Sequence, residues 1–399
     1  MNLRAVLRGG AFLVVGLVSF GAGVYADQAL PDWIPYIAHH QAGRVDTTEL
    51  QDAIRVIQAE YVDGNLDTTK MSRGTVSGLV ASLGDPYSVY YDPDQYKKLQ
   101  EAYEGRYSGI GIYVTFGSGY PLITGTVPGS PAAKSGLQGG DQILKVGGRD
   151  AGGMTGDLAT SLIQGPNGTS VTLTIKRDTS TFDVTITRAE IQIPSVRSTV
   201  IGDHVLYVRI YSFGTSTASD FASVLSTNLS SSKSMVLDLR DNPGGFVDQA
   251  DPVISDFVAS GETFEERGRN GDVDHHSVSG SHPAASIPLV VLVNGGSASM
   301  AEIVAGSLQV HRRAKLVGAK TFGKGSEQQD FPLKDGSDLH LTIKRWYLPD
   351  GSTVDHVGLT PDLSVALANS NDEFDVLQPT VGLDKDIQLN AALGLLAAK

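Results

Sequence analysis

Three glycine-rich clusters hold the residues best suited to chemistry in this 399-residue chain. The first, Val293-Asn-Gly-Gly-Ser-Ala-Ser-Met-Ala-Glu302, follows an apolar run and leads into a helical pattern, so it reads as a strand-to-helix junction. A serine at such a junction has its hydroxyl fixed at a tight turn, and the free N–H groups that open a helix can donate to an oxyanion. Serine is also the ordinary cap of a helix, and Gly-x-Ser-x-Gly is not matched because Gly295-Gly-Ser297-Ala-Ser299 ends in serine. The residue types alone leave cap and nucleophile both open. The second cluster, Phe322-Gly-Lys-Gly325, holds a lysine between glycines that permit close approach to another element. Lys324 is a general base only when neutral, which needs burial to pull its pKa down from about 10.4. Its rivals are an exposed loop-tip charge and a phosphate-binding loop, Gly318-x-x-x-x-Gly323-Lys324, that lacks the magnesium-binding hydroxyl at Gly325. In the third, Leu239-Arg-Asp-Asn-Pro-Gly-Gly245, paired glycines can aim backbone N–H groups at an anion or merely punctuate a turn.

The elements that must position these clusters follow from hydrophobic periodicity. Residues 44–105 read as helices, with Leu50, Ile54, Ile57 and Tyr61 at three- and four-residue steps and a stop at Gly84-Asp85-Pro86. Residues 106–190 read as short glycine-bounded strands with two helices. From residue 191 the rhythm becomes strand–helix–strand to about 368, which argues for parallel strands, and a closing helix ends residues 369–399. Residues 262–282, with Asp272, Asp274, His275, His276 and His282, read as a solvated loop, because no spacing there fits a metal-binding helix face. The fold class is α/β multidomain.

Composition narrows the chemistry. With 31 Lys and Arg against 44 Asp and Glu, the net charge of −13 argues against a nucleic-acid partner. The absence of cysteine removes thiolate nucleophiles, Cys-ligated zinc and iron–sulfur clusters. Residues 9–26 carry no charge and follow Arg4 and Arg8, so they read as a signal peptide or membrane anchor, with a linker over 27–43. Everything beyond is expected outside the cytoplasmic membrane, in the cell envelope.

Taken in order, the three clusters resemble those of the carboxyl-terminal processing proteases, also called tail-specific proteases, which are serine peptidases with a PDZ domain. Leu83-Gly-Asp-Pro-Tyr-Ser88, Tyr107-Ser-Gly-Ile-Gly-Ile112 and Gly358-Leu-Thr-Pro-Asp362 extend the likeness over nearly the whole chain after the N-terminal segment. The resemblance implies a helical region, an inserted PDZ domain (a small β-barrel with two helices) and an α/β peptidase core. It implies Ser299 as nucleophile, Lys324 as general base and Gln328, four positions further on, as the residue orienting the lysine. Ser297 then has a structural role. Oxyanion donors would be the Met300 N–H, where alanine or serine is more usual, and Gly244 or Gly245. The PDZ domain would take substrates with free C-termini beside residues 110–114. N–H groups around Ser108, Gly109, Ile110, Gly111 and Ile112 would receive the carboxylate, and Leu158, Leu162 and Ile163 would wall an apolar pocket. No metal or cofactor is implied. A homo-oligomer or an activating partner stays open, as does a catalytically silent PDZ adaptor, although such an adaptor has no reason to keep Ser299, Lys324 and Gln328 together.

Overall fold

A computed structural model describes residues 45–398 apart from 104–105, 116–118, 128, 155, 193–194, 368–371, 375 and 377–381. The expected export segment, residues 1–26, and the linker at 27–43 lie outside the described residues. Among the described residues, no helix is long and apolar enough to cross a membrane.

The centre is a six-stranded sheet in the order 196–201, 205–210, 234–238, 289–293, 315–318, 363–364. Its first pair is antiparallel and the rest run parallel. Because side chains alternate along a strand, each apolar run supplies both faces. Leu206, Val208, Met235, Leu237, Leu289, Val291 and Leu316 pack on one face with the helices Thr217–Asn228, Ala250–Phe257 and Met300–Val310. Tyr207, Val236, Val290, Leu292 and Val317 pack on the other against Phe374 and the helix Ile387–Ala397. Such helix-covered parallel strands bury both faces, so their continuous apolar character is a structural requirement.

Residues 262–282 depart from the expected solvated loop. They form the strands Glu262–Gly268 and Val273–Ser277, paired antiparallel and joined to the long strand Asp338–Tyr347. The cause is tertiary: Phe264 is fully buried and stacks on His276 at 4.1 Å, so one face of a polar segment serves the core. Asp338–Tyr347 also pairs with Ser326–Pro332 and with Val89–Tyr91, which attaches the N-terminal helices Thr48–Glu60, Thr68–Ala81 and Pro93–Tyr103.

Between these parts lies a separate sheet over 112–187, with its own core of Ile110, Ile123, Ile143, Leu173, Ile175 and Ile186. Among the described residues, its strand Ile112–Thr115 pairs on one side only, with Leu122–Thr126. The helix Gly156–Ile163 turns Ala159 and Ile163 into that core.

Candidate active site

The three clusters converge because they leave the same end of neighbouring parallel strands. Strands 234–238, 289–293 and 315–318 lie side by side, and at their C-terminal ends begin loops 239–245, 294–299 and 319–325. Crevices at such strand ends are where α/β sheets place ligands. Backbone and side-chain bonds stitch the loops together. Ala298 N–H donates to the Asn242 carbonyl at 2.9 Å, Phe322 N–H to the Ser297 carbonyl at 3.0 Å, and Ser297 Oγ to the Leu239 carbonyl at 2.7 Å.

Ser299 caps the helix Met300–Val310 at φ 59° and ψ −125°, a region that costs a non-glycine residue about 1–3 kcal/mol. Its side chain is 0% exposed, and its Oγ has no well-formed hydrogen bond among the described residues. The Ser299-x-x-Glu302 spacing is a capping box, and its carboxylate half is closed: Glu302 Oε2 accepts from Ser299 N–H at 3.0 Å. The Glu302 N–H goes to the Ser299 carbonyl at 2.8 Å. Ser299 Oγ faces the Glu302 N–H as the other half of the box without a well-formed hydrogen bond, and the strained turn sets where the hydroxyl sits.

Glu302 is the residue sequence reasoning missed. Fully buried, it accepts from Ser299 N–H, Lys324 N–H at 2.9 Å, Gly323 N–H at 2.8 Å and Thr321 Oγ at 2.5 Å. Burial pushes its carboxyl above the usual range, and the four donors oppose that push. One carboxylate oxygen therefore holds the backbones of Ser299 and Lys324, which lie no farther apart than two hydrogen bonds end to end. The capping-box spacing was its signal in the sequence. The same contacts dispose of the phosphate loop, since the N–H groups that would cradle phosphate already face an anion.

Lys324 is 1% exposed, and burial lowers its pKa from 10.5 to about 7 against the opposing charges of Asp85 and Glu302. Its flanking glycines do what close approach requires. A Cβ on Gly325 would stand 2.5 Å from Asp355 N, and Gly323 sits at φ 93° beside Gly358. The Lys324 Nζ lies 5.3 Å from the centre of the Tyr87 ring. Asp85 accepts from Ser88 Oγ at 2.6 Å and from Tyr87 N–H at 3.0 Å. The turn that stops the second helix thus brings the N-terminal helices to the lysine.

Gln328 lies on the strand Ser326–Pro332, beyond a register shift at Glu327/Gln328, so its four-residue spacing from Lys324 is not a helical turn. Fully buried, it donates through Nε2 to Ser326 Oγ at 2.9 Å and Thr342 Oγ at 3.0 Å. Its Oε1 has no partner among the described residues. The Thr342 N–H in turn donates to Ser88 Oγ at 3.0 Å.

The two glycines are not equivalent. Gly244, at φ 101°, approaches the serine so closely that a Cβ would fall 2.6 Å from Ser299 Cβ, but its N–H is spent on Asn242 Oδ1 at 2.8 Å. Gly245 is bridged to Phe213 through the bonds Phe213 N–H to Gly244 O and Phe246 N–H to Phe213 O. That bridge turns the Gly245 N–H away, and neither it nor Met300 N–H has an acceptor among the described residues.

Behind the site, the C-terminal segment is pinned by buried charge. Arg240 reaches Asp386 at 2.9 Å and Asp238 at 2.6 Å. Burial alone would raise the Asp238 carboxyl, but Arg240 and Arg209 hold it at about 2. Asn294 Nδ2 donates to Glu373 Oε1 at 3.1 Å while Asn294 Oδ1 accepts from Asp241 and Gly296 N–H, so this segment also braces the loop before Ser299.

The residues expected to bind a tail divide. Ser108 and Gly109 lie in the strand Arg106–Gly109, paired with Ala189–Gln192, and Ser108 Oγ donates to the Gly165 carbonyl at 2.7 Å. Ile110, Gly111 and Ile112 form the turn into the edge strand, with the Gly111 N–H facing the Tyr107 hydroxyl. Ile163 is in the core rather than in a pocket wall, while Leu158 is 40% exposed and Leu162 half-buried.

The strand ends of an α/β sheet joined to a small β-domain thus carry a strained, buried serine and a buried lysine on adjacent loops. Residues 204–365 match Peptidase family S41, residues 122–177 a PDZ domain, and residues 35–95 the activating protease CtpB N-terminal domain. The chain is 38% identical to the carboxy-terminal-processing protease of Bartonella bacilliformis, over 79% of this chain and 74% of that one. It is 32% identical to carboxy-terminal processing protease CtpB of Bacillus subtilis, over 91% of this chain and 78% of that one. The solved photosystem II D1 C-terminal processing protease superposes with a TM-score of 0.51 at 26% identity, covering 81% of this chain and 94% of that one. The chain therefore belongs to the carboxy-terminal processing proteases of peptidase family S41, and it is a serine protease with a PDZ domain.

Proposed function

We propose that the chain is an extracytoplasmic endopeptidase that selects proteins by their C-terminal tails and cleaves them with a Ser299–Lys324 pair. The observation that carries the reading is a wholly buried lysine with a pKa near 7, tied through Glu302 to a strained serine whose hydroxyl has no well-formed hydrogen bond among the described residues. Neutral Lys324 takes the Ser299 proton as Oγ attacks the scissile carbonyl. Gly245 and Met300 N–H groups receive the oxyanion, and the lysinium protonates the leaving amine. Water, deprotonated by the same lysine, then releases the acyl group. Gln328 orients the ammonium through its free Oε1. The tail adds a strand beside Ile112–Thr115, its carboxylate at the amides of Ile110 to Ile112 and its last side chain against Leu158 and Leu162. Export by residues 9–26 would place this activity in the envelope. Incubation with a tagged protein ending in an apolar residue tests the reading. Ser299→Ala abolishes cleavage and C-terminal amidation of the substrate raises KM; cleavage by the Ser299→Ala variant would refute it.

A further inference from the structure

Away from the active site, the strand pair that carries Gln328 holds a second polar cluster. Asp330 stands opposite His340, one same-face rung beyond the Gln328–Thr342 rung, and Asp338 precedes His340 by two residues on the same face. His340 Nδ1 lies 2.5 Å from Asp330 Oδ1. Asp338 is fully buried, and its carboxylate oxygens, which neighbour Phe331 N–H and the Asp330 carboxyl, form no well-aligned hydrogen bond among the described residues. One ligand atom from each of Asp330, Asp338 and His340 lies within 4.8 Å of the other two. Tyr91 and Tyr96, both buried, bring no positive charge, and the Tyr91 ring meets the imidazole edge-on at 5.9 Å.

We infer that Asp330, Asp338 and His340 form a binding site for one first-row divalent cation, Zn2+ in the first instance. Two buried carboxylates side by side are costly as bare charges. A dication neutralises both. Two oxygens and one imidazole nitrogen suit zinc, whereas calcium takes six to eight oxygens. Bonds of about 2.0–2.2 Å bring such ligand atoms within roughly 4 Å of one another, so closure requires shifts of about 1 Å or less. The ion would staple Ser326–Pro332 to Asp338–Tyr347 next to Gln328, a structural task separate from the peptidase chemistry.

The test is a calorimetric titration of the full-length protein with ZnCl2 after chelation and dialysis. One equivalent is expected to bind. Asp338→Asn and His340→Gln should each weaken binding at least tenfold, and His275→Gln should leave it unchanged. His275 belongs to a more exposed trio with Glu262 and Glu265 that could also attract zinc. No uptake, or uptake that His275→Gln removes, would overturn the inference. Should the buried variants not fold, imidazole C2 hydrogen–deuterium exchange at His340 in the unaltered chain decides it: slower exchange with zinc supports the site, and an unchanged rate rejects it.

Discussion

Replacing Lys324 with Met removes the ammonium while keeping a long apolar side chain in place, and its consequences can be worked from the burial. The fold lowers the lysine pKa from 10.5 to about 7. Between those values the unfolded chain holds a proton that the folded chain does not, so stability rises with pH across the window and is lost as pH falls towards 7. The gap of about 3.5 units, at roughly 1.36 kcal/mol each, amounts to about 5 kcal/mol once pH drops below 7. Relative to Lys324→Met, the lysine protein should lose roughly 2–3 kcal/mol between pH 9 and pH 6, with the loss levelling off below pH 7 as the folded lysine takes up its proton. Urea unfolding of Ser299→Ala and Ser299→Ala/Lys324→Met, where self-cleavage cannot interfere, measures this. Trp346 fluorescence is a local reporter, because Trp346 is fully buried and its backbone N–H donates to the Gly325 carbonyl at 3.0 Å. The same pKa governs catalysis: the neutral fraction of a base titrating at 7 rises about tenfold from pH 6 to pH 8, and kcat/KM should follow. Parallel stability curves for the two variants, or kcat/KM flat from pH 6 to 8, would refute the reasoning.

Glu302→Gln keeps one acceptor oxygen and turns an amide towards donors, leaving two or more buried N–H or O–H groups unpaired. At about 1–3 kcal/mol for each, both thermal stability and kcat should fall, as calorimetry and peptide cleavage will report. Gly244→Ala drives a methyl group into Ser299 and should cost at least about a hundredfold in kcat, read from initial rates. Asp85→Asn removes a charge that supports the lysinium and so lowers the Lys324 pKa further; the midpoint of the pH–rate profile should move to lower pH.

Much of the architecture was legible because its signals are local. Apolar runs ending in paired glycines mark strand ends whatever surrounds them; the Ser297/Ser299 pair, Lys324 and the Asn-Pro-Gly-Gly turn stand out locally, and the family resemblance chooses Ser299. The failures were also local in origin. Residues 262–282 are polar enough to read as loop, yet Phe264 and the partner strand Asp338–Tyr347 draw them into a sheet. The spacing from Lys324 to Gln328 suits one helical turn, but the chain there is a loop entering a bulged strand.

The sequence by itself determined residue chemistry and punctuation: no thiol, a serine at a strand-to-helix junction, a lysine between glycines, and a family resemblance strong enough to order them. Only the tertiary structure decided which groups are spent and which are free. Gly244 and Gly245 are identical in sequence terms, and the bridge to Phe213 and the Asn242 side chain alone distinguish their N–H groups. Lys324 is an ordinary cation until loops from distant parts of the chain exclude water from it. Burial and hydrogen-bond partnership depend on contacts between residues far apart in the chain, which no local pattern encodes.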